Sequence, residues 1–337
     1  MRKRQKSVVI ENVHPELDAG RYPVKREVGE TFEVSADIFK EGHDALAAVL
    51  KYRRRDGTEW NETPMRFVDN DRWSGSFPLE ENTRYVYTIE AYKDVWSTYR
   101  DELGKKTGAG QDVTSELLEG QKLVRQAAER AEPNAADRDR LAELAEAIRP
   151  QAGIDQAARL TLGDELTTLM GKYPDRCGSS VYERELEVVV DRVKARYAAW
   201  YEFFPRSAGT VPGRSATFRE AEARLVEIAS MGFDVVYLPP IHPIGRTHRK
   251  GPNNTLVAGP NDPGVPYAIG NEQGGHKAVE PSLGTLADFD HFVAATQELG
   301  MEVALDFAIQ CSPDHPYVKE HPEWFYHRPD GTIKYAE

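Results

Sequence analysis

The first hundred residues alternate apolar and polar positions with the period of β-strands. Residues 31–38 (TFEVSADI) and 84–91 (RYVYTIEA) place an apolar side chain at every second position, as strands that bury one face do. Asp56 and Gly57 indicate a turn between strands at 49–53 and 60–67. Several short strands separated by turns predict an immunoglobulin-like β-sandwich over residues 1–111.

A second region, residues 112–180, is rich in alanine, leucine, glutamate and arginine. Two apolar stripes recur there at helical spacing: Leu141, Leu144 and Ile148, and Leu117, Leu118 and Val124. Proline and glycine divide the region into three or four short helices. We predict a small α-helical bundle inserted into the sandwich, because residues 181–195 return to strand character and Glu187–Val190 forms a strand that closes the sandwich.

From residue 196 onward, apolar strands alternate with amphipathic helices. Strands are predicted at 197–204, 234–240 and 301–307, and helices at 217–233 and 285–300. The helix residues predicted to face inward are Phe218, Ala221, Leu225, Ile228, Leu286, Phe289, Phe292 and Val293. The β-α-β-α-β order predicts a parallel sheet with right-handed crossovers. Residues 196–337 thus read as the first part of a TIM (β/α)8 barrel, with about three of its strands present.

Composition narrows the class of protein. The formal charge of −12 argues against nucleic acid or an anionic membrane as a partner. Two cysteines, Cys177 and Cys311, provide neither a disulfide framework nor a zinc knuckle, so a reducing, cytoplasmic location is expected. The apolar run Val8–Ile10 is too short for a signal peptide, and no stretch approaches the roughly 20 apolar residues that cross a bilayer.

Candidate chemistry lies at the end of the third predicted strand and in a long loop, residues 241–283. Asp306 stands near the carboxyl end of that strand, the edge at which barrels carry their active sites. The long loop is rich in amides, imidazoles and basic groups, which suit sugar hydroxyls and phosphate. His315, His321 and His327 recur every six residues, a spacing that fits neither one helical face nor a usual zinc pattern. We therefore predict no metal site, and since no phosphate-loop or dinucleotide motif occurs, no cofactor.

Five segments carry a family resemblance: WYEFFPRS, YLPPIHPIGRTHRKGPNN, GGHKAVEPSLGTLADFDHFV, GMEVALDFAIQCSPDHP and HPEWFYHRPDGTIKYAE. The chain resembles the bacterial α-1,4-glucan:maltose-1-phosphate maltosyltransferases of the α-amylase superfamily (glycoside hydrolase family 13). The resemblance extends over the whole chain and is densest from Trp200 onward. It implies transfer of maltosyl units, with retention, from α-maltose 1-phosphate to the non-reducing end of an α-1,4-glucan, in glycogen-like synthesis, by a homodimer.

The resemblance also implies site residues. Lys250, Asn254 and Gln310 would line the maltosyl donor site, where their amide and ammonium groups suit hydroxyls and phosphate. Tyr267, the aromatic residue among the polar side chains of the long loop, joins this candidate binding set on its chemistry. Val265 would tune packing near the donor pocket, and the resemblance implies that Asp306 shapes the site rather than attacks the sugar. Gln310 and Cys311 occupy positions where amylases commonly carry Asn-His, which argues against an α-amylase-type hydrolase or a branching enzyme.

No catalytic residue is assigned from the sequence. A retaining transfer requires two carboxylates about 5 Å apart, which the family supplies from its fourth and fifth barrel strands. The chain ends 31 residues after Asp306, so it is expected to be the front part of a larger enzyme and inactive alone. A non-catalytic alternative is a glucan-binding module in which Trp60, Trp73 and Trp96 stack on sugars, although packing is the more usual role of sandwich tryptophans.

Overall fold

A computed structural model describes residues 8–334. The chain divides between Val193 and Lys194 into two compact units. None of the helices in the described range is long and apolar enough to cross a membrane.

The described part of the first unit contains ten strands. They are β1 (Val8–His14), β2 (Val24–Glu27), β3 (Thr31–Lys40), β4 (Leu46–Arg54), β5 (Asn61–Pro64), β6 (Arg66–Asp69), β7 (Arg72–Pro78), β8 (Arg84–Lys93), β9 (Ser180–Val181) and β10 (Leu186–Asp191). One sheet has the order β1-β3-β7-β6, and the other has the order β2-β10-β8-β4-β5, with β9 paired to β8. The alternation predicted for β3 is observed. The same prediction for β8 is wrong, because residues 85–92 are all buried and this strand is covered on both faces. Phe32, Phe77 and Tyr87 form the aromatic centre of a shared core.

The predicted closing strand is β10, which joins the second sheet after the helical region. It pairs antiparallel with β8 and parallel with β2, where Val188 lies opposite Val24. The run 60–67, in contrast, is not the single strand that was predicted. Met65 is buried between β5 and β6, and these two strands pair in different sheets. The chain therefore crosses from one sheet to the other within that run.

Five helices form the bundle: α1 (Val95–Gly108), α2 (Thr114–Arg130), α3 (Ala135–Ala147), α4 (Ile154–Leu162) and α5 (Asp164–Lys172). Helix α1 begins within the range predicted as sandwich, well before residue 112. Asp94 caps it by accepting a hydrogen bond from the Ser97 amide at 2.9 Å. Trp96 packs in the bundle core, so its ring is not a surface for sugar stacking. Both predicted apolar stripes are buried except at Leu118, which is 49% exposed.

The second unit is built on three parallel strands in the order β11 (Trp200–Glu202), β12 (Val235–Leu238) and β13 (Glu302–Leu305). Its helices are α6 (Phe218–Ala221), α7 (Ala223–Ser230), α8 (Leu286–Glu298) and α9 (Tyr317–Glu320). The parallel β-α-β-α-β prediction is confirmed, with shorter strands than expected. The first predicted helix is divided into α6 and α7.

Threonine caps begin the two helical segments that cover the sheet. Thr217 and Thr285 each form a reciprocal capping box with an acid three residues later. Phe218, Ala221, Leu225 and Ile228 are buried as predicted, and Phe292 of α8 joins the same core. Leu286 was predicted to face inward but is 63% exposed, because it lies six residues before buried Phe292 and therefore about 120° away from it around the helix.

Candidate functional site

The three parallel strands of the second unit end at one edge of their sheet. Tyr201, Val236 and Val303 pack with the helices on one face, so strand alternation assigns Glu202 and Tyr237, which lie opposite each other in register, to the other face. Asp306 follows β13, and its amide donates to the carbonyl of Leu238 at 2.9 Å. The sheet edge therefore carries acids and phenols next to one another.

Asp306 lies beside two tyrosines, one on a strand and one on the long loop. Burial and the neighbouring Asp306 carboxylate raise the pKa of Tyr267 to about 12. The same two causes raise the pKa of Tyr237. Both phenols consequently stay protonated at neutral pH and can donate to the carboxylate.

The long loop (residues 241–283) is folded back on itself rather than extended. The amide of Gly245 donates to the carbonyl of Ala268 at 2.7 Å, and that of Gly270 donates to Pro243 at 2.6 Å. Asn271 is 2% exposed, and its side chain donates to the carbonyl of Ile244 at 2.9 Å. These bonds satisfy backbone groups that a buried loop would otherwise leave unpaired, and they hold the two arms of the loop together.

Asp314 joins the long loop to the segment after β13, residues 306–316, which we term the third-strand loop. One carboxylate oxygen accepts from the amides of Arg246 at 2.7 Å and Thr247 at 2.6 Å, and the other accepts from the Thr247 hydroxyl at 2.6 Å. Burial acts to raise the pKa of Asp314, but the hydrogen bonds from Thr247 and Arg246 outweigh it and lower this pKa below its usual value. The sequence offered no specific signal for this role, since the partners lie 67 and 68 residues away.

The structure brings together two of the six predicted binding residues, Tyr267 and Asp306. Lys250 and Val265 are partly buried, whereas Asn254 and Gln310 are exposed. Asn254 ends the short 3-10 helix Pro252–Asn254 with φ at +64°, a left-handed conformation that asparagine tolerates better than most residues. The side chains of Lys250, Asn254 and Gln310 make no hydrogen bond within residues 8–334, so their polar groups are available to a ligand.

A cavity of about 610 Å³ lies beside the long loop and is lined by none of the six predicted residues. Arg206 and Arg249 line it, but both are engaged with backbone carbonyls. Arg206 donates to Gly264 at 3.0 Å, and burial lowers its pKa. Arg249 donates to the carbonyls of Ile244, Gly245 and Asp262. These arginines support the fold of the loop.

Three further side chains, His276, Cys311 and His315, place their possible metal-ligating atoms within 4.8 Å of one another. However, Nδ1 of His315 accepts a hydrogen bond from the amide of Tyr317 at 3.0 Å. A neutral histidine that binds a metal through Nε2 carries its proton on Nδ1, where it would meet that amide hydrogen. The arrangement therefore favours a hydrogen-bonded histidine pair over a metal centre.

His321 and His327 do not join this group. The ring of His321 stacks on Trp324 at 3.9 Å, and His327 is exposed. The six-residue repeat of histidines is thus without structural meaning, and the real partner of His315 is His276, which is 39 residues away in sequence.

Comparison with known proteins gives a consistent set of matches. A family model described as alpha-1,4-glucan:maltose-1-phosphate maltosyltransferase, domain N/S, matches residues 6–192. The chain is 57% identical to an alpha-1,4-glucan:maltose-1-phosphate maltosyltransferase of Myxococcus xanthus, over 100% of this chain and 51% of that protein. It is 46% identical to the protein of the same name from Chlorobaculum tepidum, over 99% of this chain and 49% of that protein.

Among solved structures, an α-amylase from Lactobacillus plantarum aligns with 43% of this chain and 30% of its own, at 36% identity and a TM-score of 0.35. The chain spans about half the length of the curated relatives it matches.

Proposed function

Because the chain belongs to the α-1,4-glucan:maltose-1-phosphate maltosyltransferase family, we propose that it is the amino-terminal part of an enzyme that transfers maltosyl units from α-maltose 1-phosphate to the non-reducing end of an α-1,4-glucan. The observation that carries the proposal is the 57% identity to a protein of that name over the entire chain. The product of such a transfer is a longer α-glucan, and the reaction retains the anomeric configuration.

In this proposal the second unit is the first part of a (β/α)8 barrel. Strands β11 and β13 are the outer strands of the three-stranded sheet, and Phe307 and Ile309, just beyond β13, are 82% and 80% exposed. Exposed large apolar side chains beside an unpaired strand edge favour a further strand in that place. The additional length of the relatives would supply it.

The donor sugar and its phosphate would bind at the carboxyl edge of the sheet. Lys250, Asn254 and Gln310 offer polar groups without a side-chain hydrogen bond in the described part of the chain, and Lys250 supplies a positive charge for the phosphate. Asp306, which lies beside Tyr267, would accept from sugar hydroxyls, and Val265 would pack against the donor.

The carboxylates that perform the chemistry would come from outside this chain. A retaining transfer needs a nucleophile and an acid/base about 5 Å apart. Asp306 lies beside two phenols, and Asp314 accepts from three donors of the long loop, so both acids already have polar neighbours within the chain. The chain alone would accordingly be inactive. By the same family resemblance, the enzyme would be a cytoplasmic homodimer without nucleic-acid or membrane partners.

The test uses the enzyme extended to the length of its relatives. Phosphate release from α-maltose 1-phosphate is measured with and without maltoheptaose, and glucan elongation is followed by mass spectrometry. We expect release that depends on the acceptor, and products that grow by two glucose units. Gln310→Ala and Lys250→Ala should raise the KM for the donor, whereas Gln297→Ala and Lys277→Ala, at exposed positions, should not.

Two results would overturn the proposal. Hydrolysis of maltooligosaccharides without phosphate-dependent elongation would identify an α-amylase-type hydrolase or branching enzyme. Binding of glucan with no turnover of either substrate would identify a glucan-binding module.

A further inference from the structure

We propose that His276 and His315 act as positioning residues, which hold the backbone between Asp306 and Gln310 in the conformation that the donor site requires. This inference rests on the proposed function for its activity readout, but not for its structural readout. The two histidines belong to different loops, His276 to the long loop and His315 to the third-strand loop.

The histidine pair is part of a directional chain of three hydrogen bonds. The Tyr317 amide donates to Nδ1 of His315 at 3.0 Å, so the His315 proton resides on Nε2. That group donates to Nδ1 of His276 at 3.1 Å. His276 consequently carries its own proton on Nε2, which donates to the carbonyl of Ala308 at 2.7 Å. A single neutral tautomer of each ring satisfies all four ring nitrogens.

The ring of His315 occupies a space that exists only because two neighbours lack side chains. His315 is 1% exposed. A Cβ atom at Gly275 would lie 2.0 Å from Nε2 of His315, and one at Gly270, whose φ is +105°, would lie 2.4 Å from Cδ2. A side chain that packs directly against the backbone requires glycine at that backbone position. The His315 ring is therefore confined, and the fold sets its direction toward His276.

The carbonyl at the end of the chain lies in a segment with few other restraints. Ala308 is two residues from both Asp306 and Gln310. The side chains of Phe307 and Ile309 are exposed and do not anchor it. Between the amides of Asp306 and Ser312, which bond to Leu238 and Ile269, the other hydrogen bond in the described range is a long thiol contact to Ile309 at 3.7 Å. The bond from His276 is thus the main polar restraint on this segment.

Protonation of His315 breaks the bond that it accepts from the Tyr317 amide, because a doubly protonated imidazole has no acceptor nitrogen. Burial, His276 and His242 oppose protonation of His315, whereas Glu320 favours it. The ring centroid of His242 lies 5.5 Å from that of His276. The thiol of Cys311, whose pKa burial raises, stays neutral. Burial is the main cause that lowers the pKa of both His315 and His242. All three bonds are therefore present at neutral pH, and the bond from the Tyr317 amide is lost as the pH falls below the ordinary histidine value near 6.5.

The first experiment compares His276→Phe, His276→Gln and the wild type in the enzyme extended to the length of its relatives. Phenylalanine removes both hydrogen bonds, whereas the glutamine amide can still donate to Ala308. We expect His276→Phe to raise the KM for α-maltose 1-phosphate about 10-fold with a smaller change in kcat, as the loss of a part-buried hydrogen bond of about 1.4 kcal/mol does. His276→Gln should stay within about 3-fold. His291→Gln, at an exposed histidine of α8, is the matched control.

The pH profile separates positioning from general destabilisation. In the wild type the KM for the donor should rise as the pH falls below about 6.5, and this rise should be weaker in His276→Gln. If His276→Phe does not fold, the comparison of the pH profiles of the wild type and His276→Gln tests the positioning role instead. An unchanged KM in His276→Phe, or a His276→Gln profile equal to that of the wild type, would overturn the inference.

A structural readout is independent of turnover. In protein labelled with ¹⁵N-histidine, long-range ¹H–¹⁵N spectra at pH 7.5 should assign both rings to the neutral tautomer protonated on Nε2. If the extended enzyme shows no maltosyl transfer, this spectrum still tests the hydrogen-bond chain, and the failure falls on the proposed function. A tautomer protonated on Nδ1 at His315, or stoichiometric zinc that is lost in His276→Gln, would refute the positioning role.

Discussion

The contact of Asp314 with the long loop yields a quantitative prediction for the variant Asp314→Ala. This substitution removes three hydrogen bonds of 2.6–2.7 Å, from the Arg246 amide, the Thr247 amide and the Thr247 hydroxyl. Lys250 and Asn254 follow within eight residues along the same loop. Loss of the Asp314 contacts should therefore release the part of the loop that carries two of the proposed donor-binding groups.

The magnitude follows from the type of bond. A hydrogen bond to a charged group contributes about 1.5–3 kcal/mol when it is well formed. Asp314 is partly exposed, so water replaces some of each lost bond, and we take about 2–4 kcal/mol for all three together. Since about 1.4 kcal/mol corresponds to a factor of ten, the KM for α-maltose 1-phosphate should rise at least about 10-fold.

Two assays check this prediction. Amide hydrogen exchange of the peptide 244–250 should be faster in Asp314→Ala, and the KM for the donor should rise in the enzyme extended to the length of its relatives. Asp330→Ala is the matched control, because Asp330 accepts from the amide and hydroxyl of Thr332 within one local turn. Exchange and KM that equal those of the wild type in Asp314→Ala would refute the reasoning.

The pH dependence of the same contact has a defined sign. The pKa of Asp314 is lowered in the folded protein, so the unfolded chain binds its proton more readily. The stabilisation is fully present above the ordinary aspartate value of about 4 and is lost as the pH falls through the lowered value. After correction for intrinsic exchange, the difference between wild type and Asp314→Ala in the peptide 244–250 should shrink below about pH 4. A difference that grows toward acid pH would contradict this assignment.

Two predictions concern the helical bundle. Gly120→Ala should destabilise the first unit by about 1–3 kcal/mol, because the new Cβ would lie 2.1 Å from the hydroxyl of buried Tyr99. The Cβ of Gly171→Ala meets no atom within 4 Å, so this variant should stabilise the unit slightly. Thermal melting temperatures that shift in the same direction for both variants would contradict the packing argument. Leu141 has no exposed surface, so Leu141→Ala should lower the free energy of unfolding in urea by about 2–5 kcal/mol. Leu118 is 49% exposed, so Leu118→Ala should lower it by less than about 1 kcal/mol. Equal losses would count against the assigned helix faces.

Periodicity predicted most of the secondary structure where one face of an element is buried. The alternation in β3 and the stripe through Leu225 and Ile228 are direct consequences of burial on one side. In β8 the sequence alternates although both faces are buried. Periodicity also does not reveal where the chain changes partners inside one periodic run. Residues 60–67 keep strand character throughout, but the buried Met65 marks a crossing between two sheets that no local pattern records.

The start of the helical region was missed for a related reason. The tryptophan and tyrosine in α1 are residue types typical of strands. The segment was therefore assigned to the sandwich, and Asp94 was not recognised as a helix cap.

The candidate site was predicted in part. Asp306 and Tyr267 could be chosen from their positions and chemistry, and the structure joins them. The contacts of Asp314 and of the histidine pair connect residues more than 35 positions apart, and such distant pairings leave no mark in a single sequence.

The parallel pairing of β2 with β10 has a consequence for synthesis on the ribosome. Val24 and Val188 lie opposite each other, so β2 must wait for about 160 further residues before its partner exists, roughly 8–30 s at ordinary translation rates. The helices between them make mostly local contacts and can form during that interval. Once folded, they bring the ends of a long connection close together and lower the entropy cost of the final pairing. Helices that form before β10 is complete would thus shorten the connection that the last strand must close.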